Sequence, residues 1–276
     1  MTERIVVQPI ESSPMPIIPG VWDPGPHQPI KVERAWQELV TQVGGQLVSG
    51  LLAQGAGIEN ADFIFENAKV VIELKEIQTE LGQSERFKRD FDRLMNRVMD
   101  ENPDWRPALL GGNDVSPTWF QSEFVRLFRP SVSRILKKAN RQLRETKKYF
   151  EIKSATGVLL LVNDGFTQID PQMVQALAAQ LLCTSYSSVD CMVYLTVNRY
   201  LEFPDSNTPR LLWAPLYSKR APDSLVGFID SLGRQWFNYL EKYIGPFTDR
   251  EEIATGSGLT SDILRGVKPI ILPQGE

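Results

Sequence analysis

The spacing of apolar and polar residues in the first third of the chain predicts a helix followed by a β-hairpin. Between Lys31 and Val43, apolar side chains recur every three to four residues, as in an amphipathic helix, and Gly44-Gly45 ends that pattern. Two strand-like runs follow at 61–66 and 69–77, with Asn67-Ala68 between them as a tight turn. We therefore expect these two strands to pair in the antiparallel direction.

The second half of the chain shows the pattern of strands joined by helices. Residues 131–150 predict the clearest helix, with apolar positions on one arc and basic positions on the other. The apolar runs 157–163 and 190–197 predict buried strands, and Asp170-Pro171 predicts the start of a helix between them. A last amphipathic helix is predicted over 222–243. Because a helical crossover joins parallel strands, the expected fold is α/β, with a central mixed β-sheet flanked by helices.

The chain is expected to form one domain with two irregular ends. Residues 1–30 hold seven of the nineteen prolines and predict an extended arm, lying over the domain or over the partner subunit of a homodimer. Residues 31–247 are the predicted domain, residues 78–130 a helical insertion within it, and residues 248–276 an irregular tail. The insertion is predicted to hold two helices that both end before residue 131, at 83–100 and 117–128.

The composition and the counts of rare residue types exclude several classes of protein and of catalytic site. The chain is 42% hydrophobic with a net charge of −4, and its apolar runs are far shorter than the roughly 20 residues that span a bilayer. The N-terminus lacks the pattern of a secretory signal, which predicts a cytoplasmic protein. One histidine, two cysteines and no GxxxxGK[ST] loop argue against zinc, Ser-His or Cys-His catalysis and a nucleotide cradle. Any catalysis is therefore expected to use carboxylates, lysine and a hard metal ion.

Charged residues interrupt the apolar strands of the predicted hairpin. If Glu66 pairs with Lys69 across the turn, Asp62 lies directly opposite Glu73, with their Cβ atoms about 5 Å apart. Lys75 shares that face, because alternate residues of a strand point to the same side. Carboxylates this close repel each other, and Mg²⁺ or Mn²⁺ is the natural counter-charge. We therefore expect Asp62 and Glu73 to bind the metal, and Lys75 to assist metal-dependent hydrolysis of a phosphodiester.

These residues resemble the motif of the PD-(D/E)XK phosphodiesterase superfamily of restriction-endonuclease-like proteins. Asp62 matches the first acidic position and Glu73-Leu74-Lys75 the (D/E)XK element, although Ala61 stands where the motif has proline. The predicted order of a helix (31–43), three strands (47–52, 61–66 and 69–77), a helix (131–150) and a strand (157–163) is similar to the family core and covers about half of the chain. The resemblance implies a restriction-endonuclease-like fold and a Mg²⁺-dependent endonuclease that acts on DNA rather than RNA, in restriction, phage defence or repair.

The resemblance also implies further polar residues at the metal site. Family members often place a glutamate of the first helix there, and the candidates are Glu33 and Glu38. On a helical wheel Glu33 borders the apolar stripe whereas Glu38 points away from it, so Glu33 is the preferred catalytic candidate. Gln142, at the edge of the apolar arc of the helix over 131–150, is a second candidate for this role.

The same helix carries a basic arc that forms the strongest local charge. Between Arg129 and Lys148 there are eight basic residues and one acid, a balance of +7 that leaves −11 for the rest of the chain. Such segregation is typical of a surface that binds nucleic-acid phosphates, and a solvated helix face is the alternative explanation. The nucleic-acid-binding candidates are the residues that lie opposite the apolar arc: Arg134, Lys137, Arg141, Arg144 and Lys148.

Two functions are compatible with this sequence. The first is a metal-dependent nuclease, and the second is a non-catalytic module that binds nucleic acid or protein, which the acidic net charge and the lack of a clear target-recognition domain favour. Glu73 and Lys75 also have an alternative explanation as an ion pair on a solvated sheet face. Carboxylates of Asp62 and Glu73 that share a metal and are open to solvent would favour the enzyme, and a closed ion pair would favour the module.

Overall fold

A mixed β-sheet covered by helices on both faces forms the centre of the molecule. The computed structural model describes residues 2–6, 23–24, 27–55, 57–77, 85–102, 118–164, 171–203, 206–247, 249–253 and 267–268. The helices are α1 (Val32–Gln42), α2 (Glu85–Glu101), α3 (Thr118–Tyr149), α4 (Pro171–Ser185) and α5 (Asp223–Ile244). The strands are β1 (Thr2–Val6), β2 (Asp23–Pro24), β3 (Gln46–Leu47), β4 (Phe63–Phe65), β5 (Val70–Ile77), β6 (Thr156–Asn163), β7 (Cys191–Leu195), β8 (Arg199–Phe203), β9 (Ser206–Ser218), β10 (Asp249–Ile253) and β11 (Val267–Lys268).

The sheet combines a parallel centre with antiparallel flanks. Its main path runs β10-β1-β9-β7-β6-β5-β4-β3, with β5, β6 and β7 parallel to one another and the other neighbours on the path antiparallel. Helices α3 and α4 lie on the connections from β5 to β6 and from β6 to β7, as crossovers between parallel strands require. The predicted fold class, an α/β fold with a mixed sheet flanked by helices, is confirmed.

Each face of the sheet has its own hydrophobic core. One core joins α1 and α5 to the sheet and is built around Trp36, which stacks on Trp236 with ring centroids 4.3 Å apart. The other core joins α3 and α4 to the opposite face. Because successive strand residues point to opposite sides, β5 gives Ile72 to the first core and Val71 to the second. Residues that share the parity of Val71 therefore face α3.

Helix α3 is longer than the sequence pattern predicts. Two helices were expected on either side of Pro130, but one helix of 32 residues runs through it. A proline inside a helix removes a backbone hydrogen bond, which normally favours a break. Here Phe128 and Val132, on either side of the proline, are both buried in the same core. Packing of one continuous apolar arc accounts for the unbroken helix.

The described parts of the two ends belong to the sheet. Strand β1 pairs with β9 and β10, so the first residues of the proposed arm are extended but lie within the fold. Strands β10 and β11 form in the tail that was expected to be irregular. The pairings of β1 join residues more than 200 positions apart in sequence, and no local pattern encodes them. Within the described residues, no helix is both long and apolar enough to cross a membrane.

Candidate active site

The β4–β5 hairpin has the predicted register over its three paired positions. Phe63 pairs with Ile72, Ile64 with Val71 and Phe65 with Val70. Asp62 lies one residue before this ladder, where its N–H donates to the carbonyl of Ile72 at 3.1 Å. The Asp62 side chain extends the pairing further, because its Oδ2 accepts a hydrogen bond of 2.7 Å from the Leu74 N–H.

Glu73 is a buried carboxyl group whose hydrogen bonding is incomplete. Its side chain is 0% exposed, and its Oε1 accepts a hydrogen bond from the Lys75 ammonium group. No donor of the described structure reaches its Oε2. The Asp62 carboxyl lies close enough to share a proton with it. Lys75 remains 20% exposed and Asp62 is partly buried, so the cluster lies at the border between the core and solvent.

Burial raises the pKa values of both carboxyl groups, and at Glu73 the charge of Asp62 adds to the effect of burial. Burial, followed by the charge of Asp62, raises the pKa of Glu73 to about 8, against the opposing effect of Lys75. Burial also raises the pKa of Asp62, although the Leu74 N–H and the Lys75 charge oppose that change. In the absence of a cation, Glu73 is therefore expected to be mostly protonated at pH 7. A proton then supplies part of the charge balance that the carboxyl pair requires.

The donor set fits a small hard cation held partly by water. Asp62 and Glu73 offer carboxylate oxygens, and Mg²⁺ is usually bound by one or two carboxylates together with waters and phosphate oxygens. The described residues contain no group of three or more His, Cys, Asp or Glu side chains that could hold a metal. Zinc sites usually have three or four protein ligands, mostly His and Cys, so two carboxylates alone are a poor fit for zinc.

Of the two glutamates on α1, Glu33 is the one that acts electrostatically at the cluster. Its side chain is exposed, and its negative charge contributes to raising the pKa of Asp62. Glu38 is engaged elsewhere, because its carboxylate accepts hydrogen bonds from Arg34 at 2.9 Å and from the Tyr239 hydroxyl at 2.6 Å. Glu33 therefore affects Asp62 weakly through its charge, and among the described residues it forms no three-carboxylate group with Asp62 and Glu73.

Helix α3 holds the backbone that leads into Asp62. The Gln142 side chain donates a hydrogen bond of 2.9 Å to the carbonyl of Asn60, and the Ala61 N–H donates one of 2.7 Å to the Thr146 hydroxyl. The Oε1 of Gln142 is buried and has no donor among the described residues. Gln142 was predicted as a polar residue of the site, whereas Thr146, which lies on the apolar arc of the helix, was not. A polar residue within an otherwise apolar arc was the signal that marked it.

The basic arc of α3 lies on the surface, as predicted. Its members are exposed, and they extend from Arg134 to Lys148, or about 21 Å of helix. Only Arg141 among them forms an ion pair with a described carboxylate, that of Glu59. Lys147 instead turns inward, where its ammonium group lies 3.4 Å from the Asp190 carboxylate. We call the exposed arc the basic face, and its members are Arg134, Lys137, Arg141, Arg144 and Lys148.

The geometry bears on two of the alternatives drawn from the sequence, the solvated ion pair and the choice between enzyme and binding module. An ion pair on a solvated sheet face is wrong for Glu73 and Lys75, because Glu73 is fully buried. The criterion that separates enzyme from binding module gives a mixed result, since Lys75 closes one oxygen of Glu73 while Asp62 remains partly open to solvent. No protein-family model matches the chain, and neither curated proteins nor solved structures gave a match.

Proposed function

We propose that this protein is a metal-dependent nuclease that hydrolyses phosphodiester bonds at the Asp62–Glu73–Lys75 cluster. One observation carries the proposal: a fully buried carboxyl group has an oxygen that no donor among the described residues reaches, and it lies beside a second carboxyl group. Buried polar atoms are normally hydrogen-bonded, so an unsatisfied carboxyl oxygen needs a reason. A divalent cation bridging Glu73 and Asp62 would satisfy that oxygen and remove the repulsion between the two groups.

Each side chain of the cluster has a distinct task in this proposal. Asp62 and Glu73 would hold Mg²⁺ or Mn²⁺, which when bound lowers the pKa of a water ligand and stabilises negative charge on a phosphodiester. The Lys75 ammonium group would orient the attacking oxygen and stabilise charge in the transition state, because it already lies against Glu73. Glu33 would add negative charge near Asp62 and so favour cation binding.

The basic face supports nucleic acid as the substrate. Five exposed cationic side chains on one side of α3 would attract phosphates, and the helix contacts the segment that leads into Asp62. Within the proposal, the protein has a restriction-endonuclease-like core, cleaves DNA rather than RNA and acts in the cytoplasm. Restriction, phage defence or repair would be its setting. The homodimer stays a prediction.

A second candidate function has its own observation. The Lys75 ammonium group binds the Oε1 of Glu73, so one oxygen of the pair is already neutralised without a metal. This arrangement favours a non-catalytic module that retains the cluster as a buried structural ion pair. In such a module the basic face would bind nucleic acid, and no divalent cation would be required.

A cleavage assay with matched variants tests the proposal. Single- and double-stranded DNA and RNA are incubated with Mg²⁺ or Mn²⁺ and the wild type, Glu73→Gln, Asp62→Asn or Lys75→Ala. We expect each variant to reduce metal-dependent cleavage by roughly a hundredfold or more. Glu66→Gln, which removes an exposed carboxylate of the β4–β5 turn, should cleave at the wild-type rate.

Calorimetric titration with Mn²⁺ separates the two candidate functions. The wild type and Lys75→Ala should bind the ion, because an ammonium group is not a metal ligand, whereas Asp62→Asn should bind it much more weakly. If the wild type does not bind Mn²⁺, either with or without nucleic acid, the nuclease function is refuted and the binding module is the better explanation. Unchanged cleavage by Glu73→Gln would refute the assignment of the site.

A further inference from the structure

Helix α3 binds the segment just before Asp62 through four hydrogen-bonding contacts. These contacts join three successive residues of the segment to four residues spaced over less than two turns of the helix. They involve a charged side chain, a backbone carbonyl and two backbone N–H groups of the segment. The contacts are Arg141 to the Glu59 carboxylate, the Glu59 N–H to Glu145 at 3.2 Å, Gln142 to the Asn60 carbonyl at 2.9 Å, and the Ala61 N–H to Thr146 at 2.7 Å.

Arg141 differs from the other members of the basic face because it already has an anionic partner. It occupies the middle of the face, and its guanidinium group binds the carboxylate of Glu59. Both side chains are accessible, at 48% exposure for Arg141 and 46% for Glu59. An exposed ion pair of this kind is weak, since water and salt screen it. An incoming anion can therefore displace Glu59 without unfolding any part of the chain.

A carboxylate and a phosphodiester compete for the same groups of an arginine. Both present oxygen acceptors that fit the fork of N–H donors on a guanidinium group. In the free protein Glu59 thus presents to Arg141 the same kind of acceptor that a nucleic-acid phosphate would offer. Lys137 and Arg144, about one turn away on either side, form no ion pair with a described carboxylate and are open to neighbouring phosphates.

We propose that Arg141 is the phosphate subsite of the basic face that adjoins the active site, and that Glu59 is an internal competitor which occupies it until a phosphodiester strand binds. The proposal rests on the proposed function for the identity of the substrate. Binding exchanges one ion pair for another: the guanidinium group releases the Glu59 carboxylate and accepts a phosphate. The hydrogen bonds from Gln142 and Thr146 do not involve that carboxylate, so the backbone before Asp62 stays in place.

This exchange has two consequences for the site. Glu59 lies three residues before Asp62, so a phosphate held at Arg141 is aligned with the segment that carries the first acidic ligand. The internal competitor also weakens binding of every strand that engages Arg141. Removing the charge of Glu59 should therefore strengthen binding, although the variant gains no new cationic group.

The test measures binding in EDTA, so that it does not depend on metal or on cleavage. Fluorescence anisotropy with labelled single-stranded and duplex DNA, and with RNA of the same sequence, gives Kd for the wild type, Glu59→Gln and Glu66→Gln. Glu66→Gln is the matched control, since it removes an equal charge from an exposed residue without an ion pair to a described group. We expect Glu59→Gln to bind about two- to fivefold more tightly than either, as the loss of one exposed ion pair implies.

A double variant checks that the effect acts through Arg141. In an Arg141→Gln background, Glu59→Gln should change Kd no more than Glu66→Gln does, because the competing contact no longer exists. Thermal unfolding of each variant confirms that the fold is retained. The proposal is overturned if Glu59→Gln binds no more tightly than Glu66→Gln, if its effect persists without Arg141, or if no nucleic acid binds at all. If Glu59→Gln binds more tightly but no metal-dependent cleavage is found, Glu59 is still the competitor for Arg141, and only the nuclease function is refuted.

Discussion

Replacing Glu73 by glutamine should change how the stability of the protein depends on pH. Glutamine keeps the shape of the protonated side chain, can accept the hydrogen bond from Lys75 and can donate one to Asp62. It cannot ionise. The variant therefore represents the wild type with Glu73 held permanently in its neutral form, which is the form that burial favours.

The sign follows from the direction of the pKa change. Because the pKa of Glu73 is raised from 4.5 to about 8 on folding, the folded protein retains a proton that the unfolded chain has released. Its contribution to stability is fully present below pH 4.5 and is lost as the pH rises towards 8. At about 1.4 kcal/mol per pH unit, the whole change is up to about 5 kcal/mol, of which about 4 kcal/mol falls between pH 5 and pH 9.

Urea unfolding in EDTA at a series of pH values measures this difference. The free energy of unfolding of the wild type should fall relative to that of Glu73→Gln as the pH rises, and should level off above pH 8. Glu66→Gln, in which an exposed carboxyl group is removed, should follow the wild-type curve. If the proposed metal binds, replacing EDTA with Mg²⁺ should restore the stability of the wild type at pH 9 but not that of Glu73→Gln, because a ligand stabilises only the state that binds it.

Parallel stability curves of the wild type and Glu73→Gln against pH would refute this account of Glu73. A relative change below about 1 kcal/mol between pH 5 and pH 9 would mean that Glu73 ionises near its ordinary pKa in the folded protein. Burial and the neighbouring charge of Asp62 would then be too weak to hold a proton at the cluster. The cluster would then have no need of a cation in place of that proton.

Two further predictions concern the basic face and the core. The double variant Lys137→Gln/Arg144→Gln should bind nucleic acid more weakly and lower the salt slope of log K by about 1–2. Its thermal stability should be nearly unchanged, because both side chains are exposed. Lys219→Gln, which removes an exposed charge elsewhere, should change neither the affinity nor the salt slope. If the salt slope of the double variant is unaltered, the basic face is only a solvated helix surface. Gly157→Ala should lower the free energy of unfolding by about 3 kcal/mol, because its Cβ would lie 1.9 Å from a backbone oxygen, whereas Gly50→Ala has open space. Equal melting temperatures of these two variants would contradict the packing described.

The local features of the site could be predicted because they depend on short-range geometry. A two-residue turn fixes the register of a hairpin, and the period of two fixes which side chains share a face. The positions of Asp62, Glu73 and Lys75 relative to one another follow from those two rules. The exposed arc of α3 follows in the same way from the helical period, since its basic residues lie opposite the buried ones.

Features that depend on distant parts of the chain could not be predicted. Helix α3 continues through Pro130 because residues on both sides of the proline pack into one core, and that gain is invisible in the local sequence. The pairing of β1 with β9 joins Glu3 to Trp213, and neither segment contains a signal for the other. The inward turn of Lys147 depends on Asp190, which the fold brings to it from a different connection.

The sequence by itself determined which residues form the carboxyl pair, since alternation and turn length are local properties of the chain. Only the tertiary structure decided what that pair is like chemically. The sheet and its covering helices bury Glu73 completely, raise its pKa to about 8 and, within the described part of the chain, give its Oε2 no donor. The same packing brings Glu59 against Arg141. Desolvation and long-range charge depend on everything that surrounds a side chain in space, which no pattern of neighbouring residues specifies.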